Sequence, residues 1–239
     1  MIAMIFAAGL GTRLAPLTDN KPKALVEFNG KTMLENVAQK LVAAGCDRIV
    51  VNVHHFPQMM KDFIHSHDFG AEVLISDETD MLLETGGGML KAREFLESEP
   101  HFILYNVDVD CDLDINMMYN THVQSGALAT LAVMERNSTR SLIFDGSMRL
   151  CAWRNNITGE SKISLEPFNG NGRALAFSGI SVASSEIFDL TTETGKFSIT
   201  DLYLRLAKSE LIEGYLHGGR WADLGSVEKI RAAENRREE

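Results

Sequence analysis

The sequence is short of the features that mark several classes of protein. Its 239 residues hold three cysteines, Cys46, Cys111 and Cys151, an odd number without C-x-x-C spacing. That gives no basis for a disulfide framework or a zinc site and fits a reducing, cytoplasmic setting. No apolar run is long enough to cross a bilayer. The apolar opening 1–8 lacks a basic flank and a cleavage site, so it reads as a buried strand, not a leader peptide. There is no Pro/Gly/Ser-rich linker, repeat or low-complexity tract. Cations are also scarce: 23 Lys and Arg against 33 Asp and Glu leave a formal charge of −10. A nucleic-acid binder needs clustered Lys and Arg to displace counterions, so nucleic acid is excluded as a partner, as is a membrane. A small phosphorylated ligand stays open, provided that local cations offset the global field.

What is present is an alternation of strand and helix patterns. Residues 1–8 form an apolar strand that runs into Gly9-Leu10-Gly11. Residues 33–44 carry Leu34, Val37, Leu41 and Val42 on one helical face, with Gly45 as the stop. Strand character returns over 47–53, a helix fits 58–67, and a third strand fits 72–76. A glycine cluster precedes a helix predicted over 88–96, and the strand at 101–107 runs into an acidic stretch. This order predicts an α/β fold, a Rossmann-like mixed, mainly parallel sheet flanked by helices. Ligands of such sheets lie beyond the carboxyl ends of the strands. After Gly126 the pattern changes to short strands (128–133, 141–144 and 175–182), a turn at 169–172, and helices over 197–208 and 227–234. The whole of 1–239 reads as one domain with a first half, 1–125, and a mixed-sheet half, 126–239.

Two segments carry chemistry. In Ala7-Ala8-Gly9-Leu10-Gly11-Thr12-Arg13-Leu14 the glycines let backbone N–H groups approach a phosphate, and Arg13 adds a permanently charged fork. It is neither a P-loop nor a G-x-G-x-x-G motif. In Asn20-Lys21-Pro22-Lys23 the proline holds two lysines on an extended loop. The acidic run Asp108, Asp110, Asp112, Asp114 has the spacing of a calcium loop but not its central glycine or terminal glutamate, and Asp114 is expected to cap a helix. The pairs His54-His55 and His65/His67 are not read as metal ligands. Met59-Met60 and Met117-Met118 are read as core filler.

Taken together, G-L-G-T-R-L, P-L-T and K-P-K-A-L resemble the N-terminal motif of the sugar-1-phosphate nucleotidylyltransferase family. The resemblance continues through Leu83-Glu84-Thr85-Gly86-Gly87-Gly88, Asn106-Val107-Asp108-Val109, Phe177-Ser178-Gly179-Ile180 and Trp221-Ala222-Asp223-Leu224-Gly225. It is strongest to the short bacterial branch of uridylyltransferases acting on N-acetylmuramate 1-phosphate, with guanylyltransferases of mannose and heptose 1-phosphate as near relatives. The resemblance implies the nucleotide-diphospho-sugar transferase fold and a reaction joining a nucleoside triphosphate to a sugar 1-phosphate, as a monomer or small homo-oligomer. It implies that Arg13 and Lys23 are catalytic. Ala8, Gly9, Gly11, Thr12, Arg13, Lys23, Asp77, Thr85 and Gly86 would bind the nucleotide. Asn106, Glu166, Ser178 and Gly179 would bind the sugar, the last three from the second half, and Asp108 and Asp223 would hold Mg²⁺.

By the same resemblance the base would lie near Ala8 and Gly9, walled by Asp77-Glu78 and a turn at 85–88, with UTP preferred. Two positions depart from the family. Val107 stands where glycine precedes the first metal-binding aspartate, and Glu166 is followed by Pro167 in place of lysine. A choline-phosphate cytidylyltransferase shares the N-terminal motif, but the segments at 83–88 and 177–179 favour a sugar. A non-catalytic regulatory subunit would not need Arg13, Lys23, Asp108 and Asp223 together.

Overall fold

Neighbouring residues of an extended strand face opposite sides of its sheet, and where both sides are buried the strand is apolar throughout. Ile2-Ala3-Met4-Ile5 meets that condition, and all four are fully buried. The computed structural model describes residues 1–165 and 172–235. In chain order its first elements are β1 (Ile2–Phe6), β2 (Glu27–Phe28), β3 (Lys31–Thr32), α1 (Met33–Ala43), β4 (Arg48–Val53), α2 (Pro57–Ser66), β5 (Glu72–Asp77), α3 (Glu84–Lys91), α4 (Arg93–Leu96) and β6 (His101–Asn106). Then follow β7 (Val109–Cys111), α5 (Ile115–Ser125), β8 (Ala129–Met134), β9 (Arg140–Phe144), β10 (Leu150–Asn155) and β11 (Ser161–Ile163). The last are β12 (Arg173–Ser184), α6 (Ile187–Leu190), α7 (Ile199–Leu206), β13 (Ile212–Leu216), β14 (Trp221–Asp223) and α8 (Val227–Asn235).

The central sheet runs β11-β10-β9-β12-β6-β1-β4-β5, with β8 beside β12 and β13 beside β8. Strands β5, β4, β1 and β6 are parallel, and β12 joins β6 antiparallel. The fold is thus the mixed α/β sheet that the pattern predicts. Odd residues of β1, Ala3 and Ile5, face α1, α2, α5 and α8 through Leu34, Leu41, Ile64, Met118 and Ile230. Even residues, Ile2 and Met4, face α3, α4, α6 and α7 through Met89, Leu96, Phe188 and Tyr203. Because β4 lies on one side of β1 and β6 on the other, the order in which parallel strands are added across the sheet reverses between β1 and β6. In sheets of this kind, the crevice outside that point is where ligands bind.

Local signals hold well in the first half. Thr32 accepts from the Glu35 N–H while Glu35 accepts from the Thr32 N–H, a capping box that starts α1. Asp114 caps α5 through the Met117 N–H, as expected. The helix predicted to start at Gly88 instead starts at Glu84 and contains all three glycines of the cluster. Each glycine costs a helix about 1 kcal/mol against alanine, which is why the cluster reads as a turn. Tertiary contact overrides that. A Cβ on Gly86 would stand 2.4 Å from the Phe197 ring, and one on Gly87 would stand 2.2 Å from the Gly195 carbonyl. Phe197 accordingly precedes α7, its carbonyl accepting from the Gly86 N–H. The methionine pairs are only half core: Met60 and Met118 are buried, whereas Met59 and Met117 are exposed. Glu166 and most of the turn expected at 169–172 lie outside the described residues.

Helix propensity alone would make Gly87→Ala stabilising. The close approach of Gly195 predicts the opposite, a loss of roughly 1–3 kcal/mol from overpacking. Urea unfolding measures this, and an unchanged or raised midpoint would contradict the packing described.

Candidate active site

The loop after β1 is held from below by a buried amide. Asn52, in the otherwise apolar β4, accepts from the Ala7 and Ala8 N–H groups at 2.6 and 3.2 Å. Its own amide donates to Glu78 at 2.7 Å, and the other Glu78 oxygen accepts from the Leu83 N–H. Glu78 is fully buried, so these bonds replace the water that its carboxylate gives up. Gly88 makes room, since a Cβ there would come within 2.7 Å of Glu78 and 3.0 Å of Asn52. Gly11 turns the loop back at φ 67, close against Lys23 and Thr18, and the Thr18 hydroxyl donates to its carbonyl. Arg13 follows on a single 3₁₀ turn anchored by buried Leu14.

Lys23 reaches Asp108 at 2.5 Å, just past the end of β6. Asp223 arrives from the far end of the chain, because β14 pairs antiparallel with β7 and sets Asp223 opposite Val109. The Leu224 N–H also donates to the Asp108 carbonyl. Asp223 Oδ1, Arg13 Nη2 and Asp108 Oδ2 lie 2.7, 3.0 and 3.3 Å from the point where Gly225 would carry a Cβ. Burial opposes ionisation of Asp223. Hydrogen bonds from Lys229 and the Gly225 N–H, with the charges of Lys229 and Arg13, outweigh it and hold the carboxyl below its ordinary value. The pair offers hard carboxylate oxygens already matched to cations, a donor set that suits an ion completing its shell from phosphate and water. Among the described residues no three His, Cys, Asp or Glu side chains gather to hold a metal without substrate.

Two connected spaces open here. A pocket of about 330 Å³ at the mouth of β1 and β6 is lined by Phe6, Ala8, Gly9, Leu82, Thr85 and Asn106. A cleft of about 690 Å³ continues past Arg13, Asp108 and Asp223 to β9, β10 and β12. Asn106 lines both, and Gly179 at φ 77 lets the backbone pass it where a Cβ would be 2.8 Å from the Asn106 amide. The Ser178 hydroxyl is bonded to His217, and its carbonyl accepts from the Trp221 indole. Thr85 accepts from the Ile199 N–H and ties α3 to α7.

Most of the expected site residues therefore meet. Asp77 does not: its carboxylate turns to Lys61 of α2 at 2.6 Å and to Thr79, bonds that push its pKa down. Glu78 lies under the loop and forms no wall. Gly86 is buried in α3 against Phe197. Val107 faces the core, so the departure there does not narrow the cleft. In the acidic run, Asp110 pairs with Lys40 at 2.6 Å and Asp112 accepts from the Arg220 N–H. His54 bonds the Glu78 carbonyl and His67 stacks on Phe63. Lys229, Asn52 and Arg136 escape the sequence reading. Asn52 is signalled only by being polar in an apolar strand, and Arg136, in the cleft wall, by nothing local.

A mixed α/β sheet with a cation-lined carboxylate pair at its switch point is an arrangement suited to phosphorylated ligands. A family model described as nucleotidyl transferase matches residues 2–142. The chain belongs to the nucleotidyl transferase family. N-acetylmuramate alpha-1-phosphate uridylyltransferase of Caulobacter vibrioides is 31% identical, over 98% of this chain and 96% of that protein. The protein of the same description from Neisseria meningitidis serogroup B is 29% identical over 98% and 97%. Among solved structures, HddC of Yersinia pseudotuberculosis superposes with a TM-score of 0.76 at 22% identity, covering 98% of each chain, a likeness of fold. Among the described residues no helix is long and apolar enough to cross a membrane.

Replacing Asn52 by alanine would orphan the Ala7 and Ala8 N–H groups and one oxygen of the buried Glu78 carboxylate, at a cost of about 1–3 kcal/mol per group. We expect faster hydrogen exchange at Ala7 and Ala8. Unchanged protection there would show that the loop is held by something else.

Proposed function

We propose that this enzyme transfers a nucleotidyl group from a nucleoside triphosphate, UTP in preference, to a sugar 1-phosphate of the N-acetylmuramate type, releasing pyrophosphate. The observation that carries the reading is the meeting of Arg13, Asp108 and Asp223 at Gly225, beside Lys23, outside the β1–β6 switch point. End-to-end similarity to uridylyltransferases supports it. The first half, 1–125, takes the nucleotide and the second, 126–239, takes the sugar.

One oxygen of the sugar phosphate forms a bond to the α-phosphorus. The bridging bond to the β-phosphate breaks, and pyrophosphate leaves with the electron pair. The attacking oxygen is already ionised at neutral pH, so no general base is required and catalysis rests on alignment and charge. The Gly9–Gly11 backbone and Thr12 receive the triphosphate. Lys23 stands at the α-phosphate, and the Arg13 fork takes charge that grows on the leaving group. Asp108 and Asp223 would hold Mg²⁺, which when bound neutralises phosphate charge across both substrates. Asn106 and Gly179 face the sugar.

The base lies over Ala8 and Gly9 beside Thr85. A guanine there would look for an acceptor for its N1–H and amino group. Asp77 is engaged by Lys61 and Thr79, Glu78 is buried with Asn52, and Glu84 pairs with Lys196 at 3.4 Å. This favours uracil, whose imide edge pairs with backbone groups.

Initial rates for the four triphosphates against a panel of sugar 1-phosphates test the reading. UTP with N-acetylmuramate 1-phosphate should be fastest, and a clear GTP preference would move the protein to guanylyl transfer. Asp108→Asn and Asp223→Asn should each remove most activity while leaving the unfolding midpoint close to that of the wild type. Near-normal turnover of either variant at saturating Mg²⁺ would remove that residue from the metal site.

A further inference from the structure

Arg136 follows β8 and projects into the wall of the cleft, where it is fixed on two sides. Its guanidinium lies over the Trp221 ring at 3.7 Å from the centroid, and Nη2 donates to the Phe177 carbonyl at 3.0 Å. Its Nε is buried and has no hydrogen-bond partner. The lysines of the site are matched to carboxylates, Lys23 to Asp108, Lys229 to Asp223 and Lys162 to Asp201, whereas its arginines Arg13, Arg136 and Arg140 are not. Among the described residues Arg136 forms no ion pair. A guanidinium does not give up its proton in response to burial. A partly buried, permanent cation with an unmet donor is unfavourable unless an anion completes it.

The position says which anion. The triphosphate loop and Lys23 approach the carboxylate pair from β1. Arg136 approaches from the opposite side, on a platform made by β12 and β14, where the Trp221 indole also donates to the Ser178 carbonyl. That platform carries Gly179 and Asp223, so an anion on Arg136 lies on the sugar side, next to the second carboxylate. Held by a ring face and a carbonyl, the fork is oriented before any ligand arrives, which suits two-point contact with phosphate oxygens.

We infer that Arg136 binds the phosphate of the sugar 1-phosphate and sets the attacking oxygen in line, acting as a specificity residue for the phosphorylated substrate. The inference rests on the function proposed above. It also offers a cation on the sugar side in a chain where Glu166 is followed by proline.

The test compares wild type, Arg136→Met and Arg136→Lys, with thermal midpoints recorded for each. With the sugar 1-phosphate that the wild type uses, Arg136→Met should raise its KM by about 10- to 100-fold, the range for losing a charge-assisted pair. The KM for the triphosphate should not move. Arg136→Lys, which keeps the charge but not the fork, should fall between. The unphosphorylated sugar, used as a competitive inhibitor, should bind wild type and Arg136→Met alike. Equal weakening of inhibitor and substrate, or a parallel rise in the triphosphate KM, would reduce Arg136 to a structural prop and overturn the inference. If the wild type turns over no sugar 1-phosphate, the proposed function fails by itself. Inorganic phosphate then reads the site directly through tryptophan fluorescence. Quenching in wild type that is lost in Arg136→Met supports the anion site, and equal or absent quenching overturns it.

Discussion

Two carboxylates with more than a hundred residues between them have to be held at one point, and like charges resist that. Here the approach is imposed by the backbone, through the short antiparallel pairing of β7 with β14 and the bond from Leu224 to the Asp108 carbonyl. The repulsion is met by cations drawn from three places: Lys23 on the first loop, Lys229 on α8, and Arg13 between the acids. Opposite charges at this range attract, so an array of this kind offsets the repulsion between the two acids. Most other features of the site serve to bring those cations in. Gly11 bends the loop onto Lys23, Leu14 anchors the turn bearing Arg13, and Gly225 leaves the space in which all of them meet.

Below this lies a second polar cluster with a different task. Asn52 and Glu78 sit in the interior between β1, β4 and the start of α3, and they bond only to each other and to backbone. A buried amide and acid that satisfy one another cost little, yet they specify one arrangement of the loop over many. The first cluster handles ligand charge; the second holds the floor beneath it still.

How much of this can be read from the sequence depends on the distance over which each signal acts. Capping by Asp114, the stop at Gly45 and the parallel βαβ order are local, and they are legible. So is the class of chemistry, because Gly9–Arg13, Lys23, Asp108 and Asp223 lie in compact motifs. Strands β7 and β14 are three residues each and exist only through each other, so no periodicity announces them. The glycines of α3 look like a turn because their reason, the nearness of Phe197 and Gly195, lies on a distant segment. Asp77 is assigned to the site by the resemblance, but its side chain turns toward Lys61. Arg136 is one arginine in a polar stretch, and only its stacking on Trp221 distinguishes it.

The β7–β14 pairing also has a bearing on how the protein is made. On a ribosome the parallel strands β1, β4, β5 and β6 emerge first and can pack with their helices, but β6 stays a bare edge until β12 has been synthesised. Asp223 comes later still. A nascent or prematurely ended chain therefore has the Gly9–Arg13 loop and Asp108 but lacks the second carboxylate. The carboxylate pair is completed late in synthesis, when three residues near the end of the described chain dock beside Val109 and close the circuit of charge.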